Sequence, residues 1–320
     1  MLNRHMKRVF SAICAAAFAC VACQETLPQP EAVVEYQEVS FAVNVADAET
    51  KATATPGDGS LATNLDFAVY HNSTWISSVS PALNSEVEET EEGWQVTLTL
   101  AKNVVYDVVF WAYADNAPYT FDKANHKIIV DYGTQAAPLP ANDETRDAFI
   151  KCCSGYTVTD TPVDVDLTRP FAQINIGASD YIPYITDFGF DMTSTIRCAA
   201  PSVLDVLTGA VSEEVEVEFL SLATIPYEDG NEVLTTVDNV TYHWMSMNYI
   251  LAAESKSNIY GDIEATFRYN DQNLVIEIPS VPYRRNYKTN ILGNIFTGNA
   301  KFDVVVVPGF AGTNNHNIGE

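Results

Sequence analysis

An all-β protein of the sandwich class is what this sequence predicts, and three observations predict it. Apolar residues alternate with polar ones along short runs: Val39, Phe41, Val43 and Val45 share one face, with Ser40 and Asn44 opposite. Period two marks a half-buried strand. Turn signals recur at short intervals, among them Glu92-Gly93, Asn116 to Pro118, Asp131-Tyr132-Gly133, Asp229-Gly230-Asn231, Asn270-Asp271 and Gly298-Asn299. Helical periodicity is scarce; only Asn142 to Cys152 reads as a turn or two, with Asn142 or Asp143 as its cap. The chain has 320 residues, 47% of them hydrophobic, which is enough to build a core and, as a prior, about two domains.

The first element is not a strand. Arg4, Lys7 and Arg8 precede an uncharged run, Val9 to Ala22. That run is shorter than the roughly 20 residues a bilayer span needs and has the flanks of a signal peptide. It ends in Cys20-Val21-Ala22-Cys23, which resembles the lipobox of bacterial lipoproteins, although Cys20 stands where many lipoboxes carry Leu. The resemblance implies cleavage after residue 22 and acylation of Cys23 (palmitate among the chains), giving a lipid anchor on a polar tether, residues 23–32. The other reading is an ordinary secretory signal with Cys23 a plain thiol. Acyl chains hold through about 0.8 kcal/mol per buried CH₂.

The strands follow in order. Val33 to Val45 is the first. Leu65–Tyr70, Trp94–Leu100, Val104–Ala112, Lys127–Val130, Val163–Leu167 and Phe171–Ile176 come next. Then come Val215–Leu220, Thr241–Ala252, Ile259–Tyr269, Leu274–Ile278, Tyr287–Thr297 and Lys301–Val307. Asp271-Gln272 and Gly298-Asn299 each suggest a hairpin. Val304 to Val307 is apolar on both faces, which suits a central strand or one seated in another molecule's groove. Glu86, Glu88, Glu89, Glu91 and Glu92 read as a solvated loop, and Glu214, Glu216 and Glu218 as one solvated strand face.

Charge and motif narrow the function. The formal net charge is −25, and removing the signal's three basic residues takes it to −28. That argues against nucleic acid, which demands clustered Lys and Arg. Cys152, Cys153 and Cys198 are left in the body. One of the adjacent pair could form a disulfide with Cys198, or all three stay reduced. No zinc cluster, HExxH, GxSxG or P-loop occurs, so no cofactor, metal or catalytic residue is expected. A Cys153–His pair and a carboxylate pair are the residual catalytic arrangements, and nothing selects either. Trp75, Trp94, Trp111 and Trp244 suit either a core or a sugar-stacking surface. Arg284, Arg285 and Lys288 form the densest basic cluster in the body.

Several segments carry a family resemblance. They are Tyr106 to Ala114 with Asn116 to Tyr119, Leu167 to Ile176, Met247 to Leu251, and Val281 to Thr297 followed by Phe302 to Pro308. The chain resembles the fimbrillin-like lipoproteins of Bacteroidetes, the type V pilus superfamily, and is closest to an uncharacterised branch. The resemblance implies two tandem transthyretin-like (Greek-key) β-sandwich domains, residues 33–158 and 159–310, with a flexible tail at 311–320. It implies export to the outer membrane or cell surface. In polymerising relatives a protease cuts after an arginine in the loop following the first strand, and a neighbour's strand fills the groove. Here that loop carries Lys51, and no arginine lies between residue 23 and Arg146. Lys51 is thus the candidate processing site. Phe302, Val304, Val305, Val306 and Val307 make the candidate donor or closing strand. The expected role is a pilin-like structural, anchoring or adhesive subunit that is not an enzyme, its partners other such subunits or a host ligand. The alternative is an outer-membrane glycan- or partner-binding lipoprotein that does not polymerise.

Overall fold

The computed structural model describes residues 34–45, 57–90, 93–134, 136–180, 193–222, 234–269, 272–296 and 302–308. Its strands, in chain order, begin with β1 (Tyr36–Val45), β2 (Asn64–His71), β3 (Thr74–Trp75), β4 (Ser85–Thr90), β5 (Gly93–Ala101) and β6 (Val105–Tyr113). They continue with β7 (Tyr119–Asp122), β8 (Lys127–Val130), β9 (Gly133–Thr134), β10 (Ala137–Pro140), β11 (Phe149–Thr157), β12 (Val163–Leu167) and β13 (Phe171–Ala178). The remainder are β14 (Thr193–Asp205), β15 (Val211–Leu222), β16 (Leu234–Val237), β17 (Val240–Leu251), β18 (Ile259–Tyr269), β19 (Gln272–Tyr283), β20 (Tyr287–Gly293) and β21 (Phe302–Pro308). Only two 3-10 turns interrupt them among the described residues, Lys123–Asn125 and Glu144–Arg146. The protein is all-β, and its described residues from Tyr36 onward fall in one compact unit.

Four sheets result. Sheet I has the order β12-β1-β5-β4, and sheet II the order β11-β6-β2-β3. Sheet III runs β19-β18-β14-β15-β10-β9, with the β7–β8 hairpin joined to β14, and sheet IV runs β16-β17-β13-β20-β21. Sheets I and II enclose one core. Val39, Phe41, Val43, Val96, Leu98 and Val165 meet Phe67, Val69, Val108, Phe110 and Phe149 in it.

Sheet II is buried on its other face too. Ala68, Tyr70, Val109, Trp111 and Ile150 join a second core with Phe171, Ile174, Phe219, Tyr249 and Phe267. A strand covered on both sides reads as an unbroken apolar run, and Val108 to Ala112 is such a run. In sheet III the alternation is partial: Val217 and Phe219 are buried and Glu214 and Glu216 exposed, but Val215 is exposed as well.

One expectation is met and another needs correction. Asn142 to Cys152 holds a single 3-10 turn, capped by Asp143, and Phe149 already begins β11. Pairing of Phe149 with Ala112 extends the chain there. Glu86, Glu88 and Glu89 are not in a loop: they lie in β4, an edge strand paired to β5. An edge strand whose side chains are mostly in water needs no apolar alternation, so the sequence gives no sign of it.

Candidate functional site

The first strand occupies an interior slot. β1 pairs antiparallel with β5, Phe41 opposite Val96, and parallel with β12, Phe41 opposite Val163. Val39, Phe41 and Val43 point into the first core and are buried. The Phe41 ring lies 5.2 Å from Phe110 and 5.1 Å from Tyr156, centroid to centroid. Burying three such side chains contributes about 1.5–3 kcal/mol each. Ser40 and Ala42 take the opposite face, and Gln95 Nε2 donates to Ser40 Oγ across the strand pair. Without β1, the edges of β5 and β12 and an apolar trough would stand open.

The chain re-enters the described structure at Gly57, and a polar clamp holds it. Gly57 N donates to Glu144 Oε2 at 2.6 Å. Gly57 O accepts from Arg169 Nη2 at 2.8 Å. Arg169 has no solvent exposure and forms two bonds to Asp147, Nε to Oδ1 at 2.6 Å and Nη2 to Oδ2 at 2.8 Å. Its guanidinium carbon lies 4.4 Å from the Phe149 ring centroid. Tyr249 Oη donates to Glu144 Oε2 at 2.9 Å. Burial pushes the Glu144 carboxyl up to about 7, with Asp147 adding to the rise. Burial also pulls the Lys288 ammonium down to about 8, and the charge of Arg169 adds to the fall. Gly59, at φ +76°, packs where a Cβ would stand 2.8 Å from the Phe149 ring. Glu144 carries no signal in the sequence, and Arg169 figures there only as the basic residue before Pro170 in the Leu167 to Ile176 segment; a buried Arg–Asp pair 22 residues apart leaves no local pattern.

The other residues singled out by sequence are dispersed. Cys23 and Lys51 lie outside the described residues, as do the tether and the Gly298-Asn299 turn. β21 pairs antiparallel with β20, Val306 opposite Thr289, and forms one border of sheet IV. Val305, Val306 and Val307 are buried there, while Val304 and Phe302 pack partly buried against the second core. Cys152, Cys153 and Cys198 are free thiols. Adjacent residues on β11 face opposite ways, so Cys152 packs on the second core and Cys153 on the first. Burial pushes the Cys152 and Cys198 thiols up to about 12.

Trp75 and Trp94 are partly buried against the two cores, and Trp111 and Trp244 are buried. His71 Nδ1 lies 2.9 Å from Val105 O, and His126 Nδ1 lies 2.8 Å from Asp205 Oδ2. No group of metal-ligating side chains occurs among the described residues. Nor is any helix there long and apolar enough to cross a membrane.

Fold and site together define a multi-sheet β protein with an N-terminal strand inserted inside a sheet and closed off by a buried polar clamp. The chain belongs to a family of unknown function, DUF6562, whose model matches residues 30–318. No curated protein matches it.

Solved structures similar to it come from Bacteroidetes fimbrial and adhesin proteins. One, from Bacteroides uniformis ATCC 8492, is assigned provisionally to cell adhesion; it is 14% identical, with 84% of this chain and 96% of that one covered at a TM-score of 0.48. The tip fimbrial protein Mfa3 of Porphyromonas gingivalis, with a C-terminal truncation, is 13% identical, with 85% and 99% covered at 0.45. A fimbrial assembly protein from Parabacteroides distasonis ATCC 8503 is 12% identical, with 85% and 96% covered at 0.42. At such identities no role passes from them to this chain.

Proposed function

We propose that this protein is a lipid-anchored, surface-exposed pilin-like subunit, structural or adhesive, that works by β-strand complementation and not by catalysis. One observation carries the reading: β1 fills an interior slot of sheet I, and its removal would leave two unpaired strand edges over an apolar trough. An extended segment of a second copy supplies both the missing hydrogen bonds and the missing side chains. Lys51 lies in the segment between β1 and the clamp at Gly57, where a cut would release β1 and leave the clamp in place. β21, at the border of sheet IV, is the candidate donor. Acylated Cys23 would tether the uncut chain to the outer membrane and would leave with β1 once Lys51 is cut.

The test is digestion with a lysine-specific protease under native conditions, followed by light scattering. Cleavage at Lys51 should be lost in Lys51→Gln, and the trimmed parent should form strand-exchanged oligomers that grow with concentration. A trimmed chain that stays monomeric at high concentration removes strand exchange and leaves the non-polymerising, ligand-binding lipoprotein. The second reading is favoured by an arginine-lined cleft elsewhere in the molecule.

A further inference from the structure

A cleft of about 460 Å³ opens where β11, the β14–β15 turn, the end of β17 and the β19–β20 turn converge. Its volume is that of a small-ligand site. In a chain of net charge −25, this cleft gathers Lys151, Arg169, Arg284 and Arg285. Two carboxylates, Asp205 and Glu254, also line it.

These charges do not cancel. Arg169 is committed to Asp147. Asp205 is committed to His126 and to the backbone N–H groups of Leu207 and Thr208. Lys151, Arg284 and Arg285 remain against the carboxylates of Glu254 and Asp205, a local excess of positive charge. Arg285 is mostly buried, and its Nη1 is enclosed with no hydrogen-bond partner. An enclosed guanidinium nitrogen without an acceptor is costly and calls for an anion.

The neighbouring groups are fixed in place. Tyr287 N donates to Arg284 O at 3.1 Å, closing a turn that presents both arginines, with Asn286 at φ 61°. Arg284 Nε donates to Ser255 O at 3.0 Å, and its guanidinium carbon lies 4.5 Å from the Tyr287 ring centroid. Gly209 keeps the centre open: a Cβ there would stand 3.0 Å from Glu254 Oε2 and 3.5 Å from Arg285 Nη1. Apolar walls come from Ile150, Leu204 and Leu207.

We infer that this cleft binds an acidic saccharide, its carboxylate or sulfate ester held by Arg285 and Arg284 and its ring lying against Tyr287 and the apolar wall. Guanidinium forks match oxyanions in pairs of hydrogen bonds. Mixed polar and apolar lining suits a hydroxylated ring better than a bare ion. The assignment stands whether or not β1 is exchanged.

Calorimetric titration of the full chain with digalacturonate, a sulfated disaccharide, neutral digalactose and inorganic sulfate tests it. One acidic disaccharide should bind, the choice between them identifying the oxyanion, while the neutral sugar gives no heat. Arg285→Gln should weaken binding about tenfold or more, a charge-assisted pair being lost. The same variant should melt no lower than the parent, because it removes an enclosed guanidinium whose Nη1 has no hydrogen-bond partner and whose burial only the charge of Glu254 offsets. Glu254→Gln should tighten binding severalfold, and Arg197→Gln, outside the cleft, should leave it unchanged.

Equal binding by parent and Arg285→Gln overturns the proposal, as does neutral digalactose or inorganic sulfate binding as tightly as the acidic sugars. Failure of both acidic sugars to bind overturns it too.

Discussion

Glu144 and Lys288 are oppositely charged groups that both pay for enclosure in the clamp, and their shifts set opposite pH slopes. The Glu144 carboxyl is raised from 4.5 to about 7. Between those values the folded chain holds a proton that the unfolded chain has released. Its contribution to stability is therefore greatest below about pH 4.5 and falls as pH rises to about 7. Lys288 is lowered from 10.5 to about 8, so its penalty lifts as pH rises from 8 to 10.5. The clamp is least favourable between pH 7 and 8, where both groups are charged.

Asp147, Asp58 and Arg169 also act on Lys288 and do not reverse either direction. Glu144→Gln keeps an acceptor for Gly57 N and Tyr249 Oη and removes the titration. Relative to the parent, the variant should gain stability between pH 5 and pH 7.5, on the order of 1–2 kcal/mol after allowing for partial exposure. Urea unfolding at the two pH values measures it; a difference that does not change with pH contradicts an enclosed Glu144.

At the scale of elements, the sequence disclosed strands with one wet face or two dry ones and missed those whose existence depends on a partner. β1, β12, β13 and β18 follow from alternation, and β6 from a continuous apolar run. β4, β9 and β16 carry no such signal, because edge pairing alone holds them extended, and β10 is held extended between β15 and β9. β14 was missed as well: Arg197, Ala199 and Pro201 break its outward face, and pairing to β15 and β18 decides its conformation. The trough for β1 was legible only as a strand, since its neighbours β5 and β12 come from distant parts of the chain.

Gly93 connects these elements. It lies at the β4–β5 turn with φ 146°, and a Cβ there would stand 2.3 Å from Val43 O, the carbonyl of β1 facing the turn. Gly93→Ala should cost about 1–3 kcal/mol and act through β1. Amide hydrogen exchange should quicken at Phe41 and Val43 while β13 stays protected; equal acceleration in both strands would place the damage elsewhere.

For the whole molecule, sheet II is the shared wall. Its two faces belong to two cores, and one aromatic series crosses from it into the others. Trp111 of sheet II meets Tyr119 of β7 edge to face at 5.4 Å, and Tyr119 meets Phe171 of β13 at 5.4 Å. Sheet III contains β7 and sheet IV contains β13, so three sheets meet in three rings. Connectivity reinforces the coupling. β12 follows β11 in the chain yet completes sheet I beside β1, and β7 to β10 leave sheet II to join sheet III. No cut in the chain separates the two cores without removing strands from one of them.

Such a molecule should unfold as one cooperative unit, since neither core keeps a covered sheet II alone. Trp111→Ala removes about 3–5 kcal/mol of packing from the second core only. Scanning calorimetry should nevertheless show one endotherm, moved down as a whole. Hydrogen exchange should show Phe41 in the first core losing protection together with Ile174 in the second. Two resolved endotherms, with only one displaced by the substitution, would mean that the cores fold independently and that sheet II is a contact between them, not a common wall.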